Sequence, residues 1–302
     1  MQYPPRTIVA MLISAIIAGA VILPVLGSGI EIPIVAYILN AGPEAISISV
    51  IDDVGHETSS VDPGVDFTIE VVSRDNNTAA DILMIQIILF APGSSESSVD
   101  SPAEHYTMTW TSSGGFQGSG LEAQDCQEPP DMDGAEGTWV FGVRLAREAV
   151  ASAGWSCLAT VEDEAESDRI TTTFGINEFA SASLDSASIN FAGDPGSEAM
   201  TSVTMRYDTN HPVEVGARSS EFVGTEVTSF TLQPGDFTVD DDSSSSSPET
   251  GRPKLVLSES RGIFIDDIQG SGQVEVYIFV SIPDPFYDQD YQGKLVFDVR
   301  SR

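Results

Sequence analysis

Basic side chains are scarce. The 302 residues include 13 Lys and Arg against 46 Asp and Glu, a formal net charge of −33. Lysine stands only at Lys254 and Lys294, and arginine supplies the other basic positions. A surface of that sign excludes nucleic-acid binding through a basic patch, because phosphates would be repelled rather than neutralised. It also suggests work in strong salt. At molar ionic strength the Debye length shrinks to about 3 Å, which screens the self-repulsion that would loosen such a fold in dilute buffer.

Histidine and cysteine are equally sparse, and each shortage removes a chemistry. The three histidines, His56, His105 and His211, form no pair at helical metal spacing, and neither a G-x-S-x-G turn nor a Walker-type or G-x-G-x-x-G loop occurs. The sequence therefore offers no catalytic residue and no cofactor site. Cys126 and Cys157 cannot complete a zinc site alone, and no His lies near either in sequence. If the chain is exported, they are expected as a disulfide closing a loop of about thirty residues, a constraint of about 3–4 kcal/mol. Asp240 to Asp242 and the set Asp284, Asp288 and Asp290 offer oxygen ligands of the kind Ca²⁺ takes. Neither has the Gly and terminal Glu of a twelve-residue calcium loop, so solvated loops are expected there. Asn76-Asn77-Thr78 is an N-glycosylation sequon, expected in the turn after the Phe67 strand.

Charge of either sign is absent from Ile8 to Gly29. As a helix, that run would measure about 33 Å, enough for a hydrocarbon core of about 30 Å. Pro24 interrupts it, and Gly27 and Gly29 would suit cleavage before Ile30. Residues 1–29 are thus expected to be a hydrophobic anchor, contacting a membrane through residues 8–29, or a signal segment. Residues 30–44 would be a connection or a first strand. Arg6 on the short side places the N-terminus in the cytoplasm and the acidic remainder outside.

Beyond residue 44 long amphipathic helices are missing as well. Short β-prone runs recur instead: 46–51, 67–72, 82–90, 106–110, 138–145 and 155–161, then 184–191, 201–207, 213–217, 227–232, 254–257, 273–282 and 294–299. Phe67, Ile69 and Val71 share one face of a period-two alternation. Turn residues punctuate the runs, as in Val61 to Gly64 (VDPG) and Ala91 to Ser95 (APGSS). The pattern predicts an all-β protein of two antiparallel sandwiches, residues 45–174 and 175–302, the second carrying an acidic poly-Ser loop at 240–251. Ile82 to Phe90, apolar except for Gln86, is expected to be a central strand covered on both faces.

Gly137 to Asp163 places Gly137, Trp139, Gly154, Trp155, Cys157, Ala159 and Asp163 in an order that resembles the end of immunoglobulin-like domains in exported archaeal and bacterial surface proteins. Tyr291 to Val299 (YQGKLVFDV) looks like the closing strand of similar sandwiches. Cys126 departs from the antibody pattern, lying too near Cys157 for the usual bridge between sheets; a bridge here would pin the loop Gly114 to Gly137. The resemblance covers about a third of the chain and implies an immunoglobulin-like ectodomain, not a reaction.

The expected function is that of a non-enzymatic structural protein at the surface of a cell or virion of a salt-loving archaeal system, self-associating or contacting other surface proteins. Two alternatives stand beside it. One is a filament subunit, pilin- or archaellin-like or lending residues 30–39 to a neighbour as a strand. The other is a secreted carbohydrate-binding module, which requires an aromatic platform. The halophilic reading predicts a melting temperature that falls steeply as salt is lowered from molar to about 0.1 M; thermal melts at both ionic strengths check this, and a salt-indifferent transition would refute it.

Overall fold

The computed structural model describes residues 42–241, 255–284 and 288–302. The expected anchor at 8–29, the segment 30–39 and all but the first two residues of the 240–251 loop lie outside the described residues. Among those described there is no α-helix, and none is long and apolar enough to cross a membrane. The chain is all-β. In order, the strands are β1 (Glu44–Ile51), β2 (Ser60–Val61), β3 (Asp66–Arg74), β4 (Met84–Phe90), β5 (His105–Thr111), β6 (Gly115–Gly118), β7 (Glu136–Arg144), β8 (Ser152–Glu162), β9 (Ser167–Ile176), β10 (Ala180–Leu184), β11 (Glu198–Ser219), β12 (Phe222–Gly224), β13 (Thr231–Leu232), β14 (Phe237–Asp240), β15 (Leu255–Val256), β16 (Gly262–Ser281), β17 (Tyr291–Gln292) and β18 (Leu295–Ser301).

Two sheets enclose a first core. One runs β1-β3-β7 and the other β2-β9-β8-β4-β5-β6. Alternation does the sorting: Phe67, Ile69 and Val71 of β3 turn inward against Ile85, Ile87 and Leu89 of β4, with Trp110, Trp139 and Trp155 wholly buried among them. β4 is central, between β5 and β8, yet Met84, Gln86, Ile88 and Phe90 are only half-buried. The expected cover on both faces is therefore partial. The first core ends at Ile176, because β9, which was not among the expected strands and reaches past the expected boundary at 174, belongs to it: its Phe174, Gly175 and Ile176 are buried while Thr171 and Thr173 face out.

A second core lies between a sheet ordered β10-β11-β16-β14-β15, with β18 also on β11, and a short sheet β13-β12-β17. Val203, Met205, Val215, Phe237, Val276, Ile278 and Val280 form its centre. The runs 201–207 and 213–217 are not separate strands. Asn210-His211-Pro212, between the two runs, passes through β11 as an irregularity, with the pairing to β16 shifting between Thr209 and Val213. The first half of β16 carried no strand signal, since Asp266, Asp267, Gly270 and Gly272 imitate a loop.

Polar groups close the exposed edges. Residues 120–127 lie along the free edge of β7: Glu122 N–H donates to Gly142 O at 2.8 Å, and Gln127 and Val140 exchange two bonds at 2.9 Å. Gly142 permits that approach, because a Cβ there would stand 2.8 Å from Glu122 O. On the outer face of the second sandwich, Arg261 lies over Gly216 and pairs with Glu214 of β11 at 2.5 Å and with Asp298 of β18. One guanidinium so ties two strands across acidic neighbours.

The expected disulfide is not formed; both cysteines are free thiols. Cys157 points from β8 into the first core with no exposure, and burial pushes its thiol up to about 12. Cys126 sits outboard of β7, where its Sγ accepts the Gly142 N–H at 3.4 Å, and burial raises it too. One thiol thus faces the core and the other a strand edge. Titration of the native protein with a thiol reagent should modify at most Cys126, and in denaturant without reductant both should react; a chain unreactive in denaturant would restore the disulfide.

Candidate functional site

The richest polar constellation joins the two cores. Asn210 stands at the irregularity of β11, opposite the β7–β8 connection and the linker Asn177 to Phe179. Its Nδ2 donates to Ala149 O and Asn177 O, both at 2.9 Å, while its Oδ1 accepts Phe179 N–H at 2.7 Å. Its backbone adds two bonds, accepting from Ala151 N–H and donating to Phe179 O, each at 3.1 Å. Arg147 covers the joint with its guanidinium 5.3 Å from the Phe179 ring centre and 3.7 Å from Asp208. Asn210 is buried at 1% exposure, so every one of these groups would be costly to leave unpaired.

His211 extends the network to the C-terminus. Its Nδ1 lies 3.1 Å from Asn210 Oδ1 and its Nε2 lies 3.0 Å from Ser301 Oγ. Serine, imidazole and an orienting amide are thus in line, the relation a nucleophile requires. The two carbonyls on Asn210 Nδ2 leave Oδ1 facing His211, so Nδ1 carries a proton and Nε2 of a neutral imidazole is an acceptor. The single Ser301 hydroxyl proton then has two acceptors, His211 Nε2 at 3.0 Å and Glu178 Oε2 at 2.8 Å, and the shorter contact is to the carboxylate. Neither of the two described cavities includes Ser301, His211 or Asn210 in its wall. The arrangement locks the C-terminal strand to the linker.

A second knot surrounds Asp100. His105 Nδ1 lies 2.9 Å from Asp100 Oδ1, Thr107 Oγ1 donates to the same oxygen at 2.8 Å, and Ser119 Oγ donates to Oδ2 at 2.7 Å. Burial would raise this carboxyl, but the three hydrogen bonds outweigh it and hold it below its ordinary value. A cavity of about 390 Å³ opens beside it, walled by Pro102, Tyr106, Arg144 and Leu145. Ser119 and His105 both address the carboxylate and not each other, so these two residues form no serine–histidine relay. Tyr106 OH donates to Pro102 O at 2.5 Å and accepts Ala146 N–H at 3.0 Å, the bonding of a tyrosine corner that pins a loop over a sandwich.

The remaining residues singled out from sequence are dispersed. His56 is exposed in the hairpin after β1, with Asp52 Oδ2 4.0 Å away. Asn76 is exposed in the turn after β3, as expected. Asp284, Asp288 and Asp290 do not converge, and among the described residues no group of three potential ligands is placed to hold a metal. Trp110, Trp139 and Trp155 are buried at 0–1% exposure, which removes them as an aromatic platform for sugars. Sequence reading missed Asn210 and Ser301; the only signal was Asn-His-Pro inside an otherwise apolar alternation.

No protein-family model matches the chain, and no curated protein matches it. Among solved structures, one similar chain belongs to the CsuC–CsuE chaperone–tip adhesion subunit pre-assembly complex of archaic chaperone–usher Csu pili from Acinetobacter baumannii. Its identity is 11%, the alignment covers 84% of this chain and 99% of that one, and the TM-score is 0.31. Likeness at that level carries no functional argument.

The junction makes a definite prediction. Asn210→Ala leaves Phe179 N–H and two carbonyls without partners and should cost about 3 kcal/mol. All three tryptophans lie in the first core, so their fluorescence reports that body alone while far-ultraviolet circular dichroism reports both. The two denaturation curves should coincide in the parent and separate in the variant. Unchanged, coincident curves would show that Asn210 does not couple the cores.

Proposed function

We propose that this chain is a non-enzymatic structural protein of an exported surface: the ectodomain of a cell envelope, appendage or virion of a salt-loving archaeal system. It would be held at a membrane by residues 8–29, or released if that segment is cleaved. The supporting observation is how its few reactive groups are used. His105, His211, Ser119 and Ser301 are each engaged in bonds that fasten one strand or loop to another. The immunoglobulin-like character of the sandwiches and their archaeal setting rest on the sequence resemblance given above.

Self-association is the second reading, and one edge favours it. Every residue of β10, Ala180 to Leu184, is exposed and uncharged, and its pairing with β11 runs without a shift. On a chain of net charge −33, such an edge can meet another copy without opposing carboxylates. The filament alternative would use this property.

Protein isolated from its source tests both parts of the reading. The main expectation is recovery with membranes and an N-terminus at Met1 or Gln2. A start at Ile30 would indicate a free secreted form, and a start just before Ile8 a pilin-type product. A serine-directed fluorophosphonate should leave Ser301 unmodified. Labelling that disappears in Ser301→Ala would overturn the non-enzymatic reading.

A further inference from the structure

We propose that Asn76 carries an N-linked oligosaccharide, placed on the end of the first sandwich where the described chain begins. Asn76-Asn77-Thr78 is the sole N-x-S/T sequence in the chain. The fold presents it as a modification site must be presented. β3 ends at Arg74, Asp75 turns inward with no exposure, and Asn76 follows exposed. The turn is held by Asp75, whose Oδ1 accepts Asn77 N–H at 2.8 Å and whose N–H donates to Ala135 O at 2.8 Å. Thr78 is extended, with φ −159° and ψ 158°, and its side chain does not cap the one-turn helix that follows. Two other asparagine amides are committed: Asn177 Nδ2 donates to Asp62, and Asn210 is saturated by the junction.

Strand register fixes the position. Arg74 pairs with Glu44, near the first described residue, and with Glu136 on the other side. At the far end of the same ladder Asp66 pairs with Arg144, which leads into the turn that meets Asn210. Asn76 and the start of β1 therefore share the end opposite the junction. Carboxylates crowd that end too, with Glu44, Glu136, Asp163 and Glu166 around it. A neutral glycan there would act as a hydrated spacer beside a surface otherwise rich in like charge.

The transfer balances without any redox partner. The donor class is an oligosaccharide linked to a lipid phosphate or pyrophosphate. Asn76 Nδ2 attacks the anomeric carbon, an N–C bond forms as the C–O bond to phosphate breaks, the amide proton passes to a base of the transferase, and the lipid phosphate departs.

The proposal rests on the exported reading above, and the experiment separates the two. Intact mass and peptide mapping of protein from the native source should show a glycan on the Asn76 peptide. Asn76→Gln and Thr78→Ala, expressed in the same cells, should lose that entire mass, whereas Thr78→Ser should keep it; thermal melts confirm that the variants fold. Protease accessibility on intact cells or virions reads export independently. An exported chain whose Asn76 peptide is unmodified, or a glycan that survives Asn76→Gln, overturns this proposal and leaves the surface reading standing. A chain shielded from protease inside the cell overturns both.

Discussion

A primary amide has two donor hydrogens and an acceptor oxygen, and Asn210 spends all of them on holding two bodies together. Its partners come from the β7–β8 connection, from the linker and from the neighbouring histidine. Surface groups such as Arg147 and Asp208 also meet across the joint, and salt would weaken their attraction. Uncharged, buried hydrogen bonds are largely indifferent to ionic strength. The choice of an amide at the joint therefore suits a protein whose other surface chemistry is dominated by carboxylates.

Polar side chains fasten elements to one another elsewhere as well. Asp100 gathers three donors, Arg261 bridges two acidic strands, and Ser301 links the C-terminal strand to Glu178. The tyrosine that walls the cavity beside Asp100 is likewise held at its hydroxyl by two backbone groups.

Much of the fold could be read from the chain, and the reason is local. A strand with one buried face writes its period into the sequence, so β3, β4, β5, β7 and β8 fell near Phe67, Ile85, Tyr106, Trp139 and Trp155 as the alternation indicated. β9 and the first half of β16 were illegible because their outward residues are threonine, aspartate and glycine, which also make turns. The junction was illegible for a different reason: Asn210 meets residues 31 to 61 positions away, and no periodicity records such a meeting. The cysteines misled because the expectation of export implied a bond between two thiols, whereas orientation decides it. Cys157 faces a core and Cys126 faces a strand edge.

β11 and β16 remain paired from Glu198 with Ser281 to Ala217 with Gly262. Because Glu198 and Ser281 face each other at one end, tension between those two residues would peel the ladder bond by bond, whereas force applied at opposite ends would load its bonds side by side. With the ladder tied at mid-strand to the first core through Asn210, resistance to pulling depends on where the force is applied.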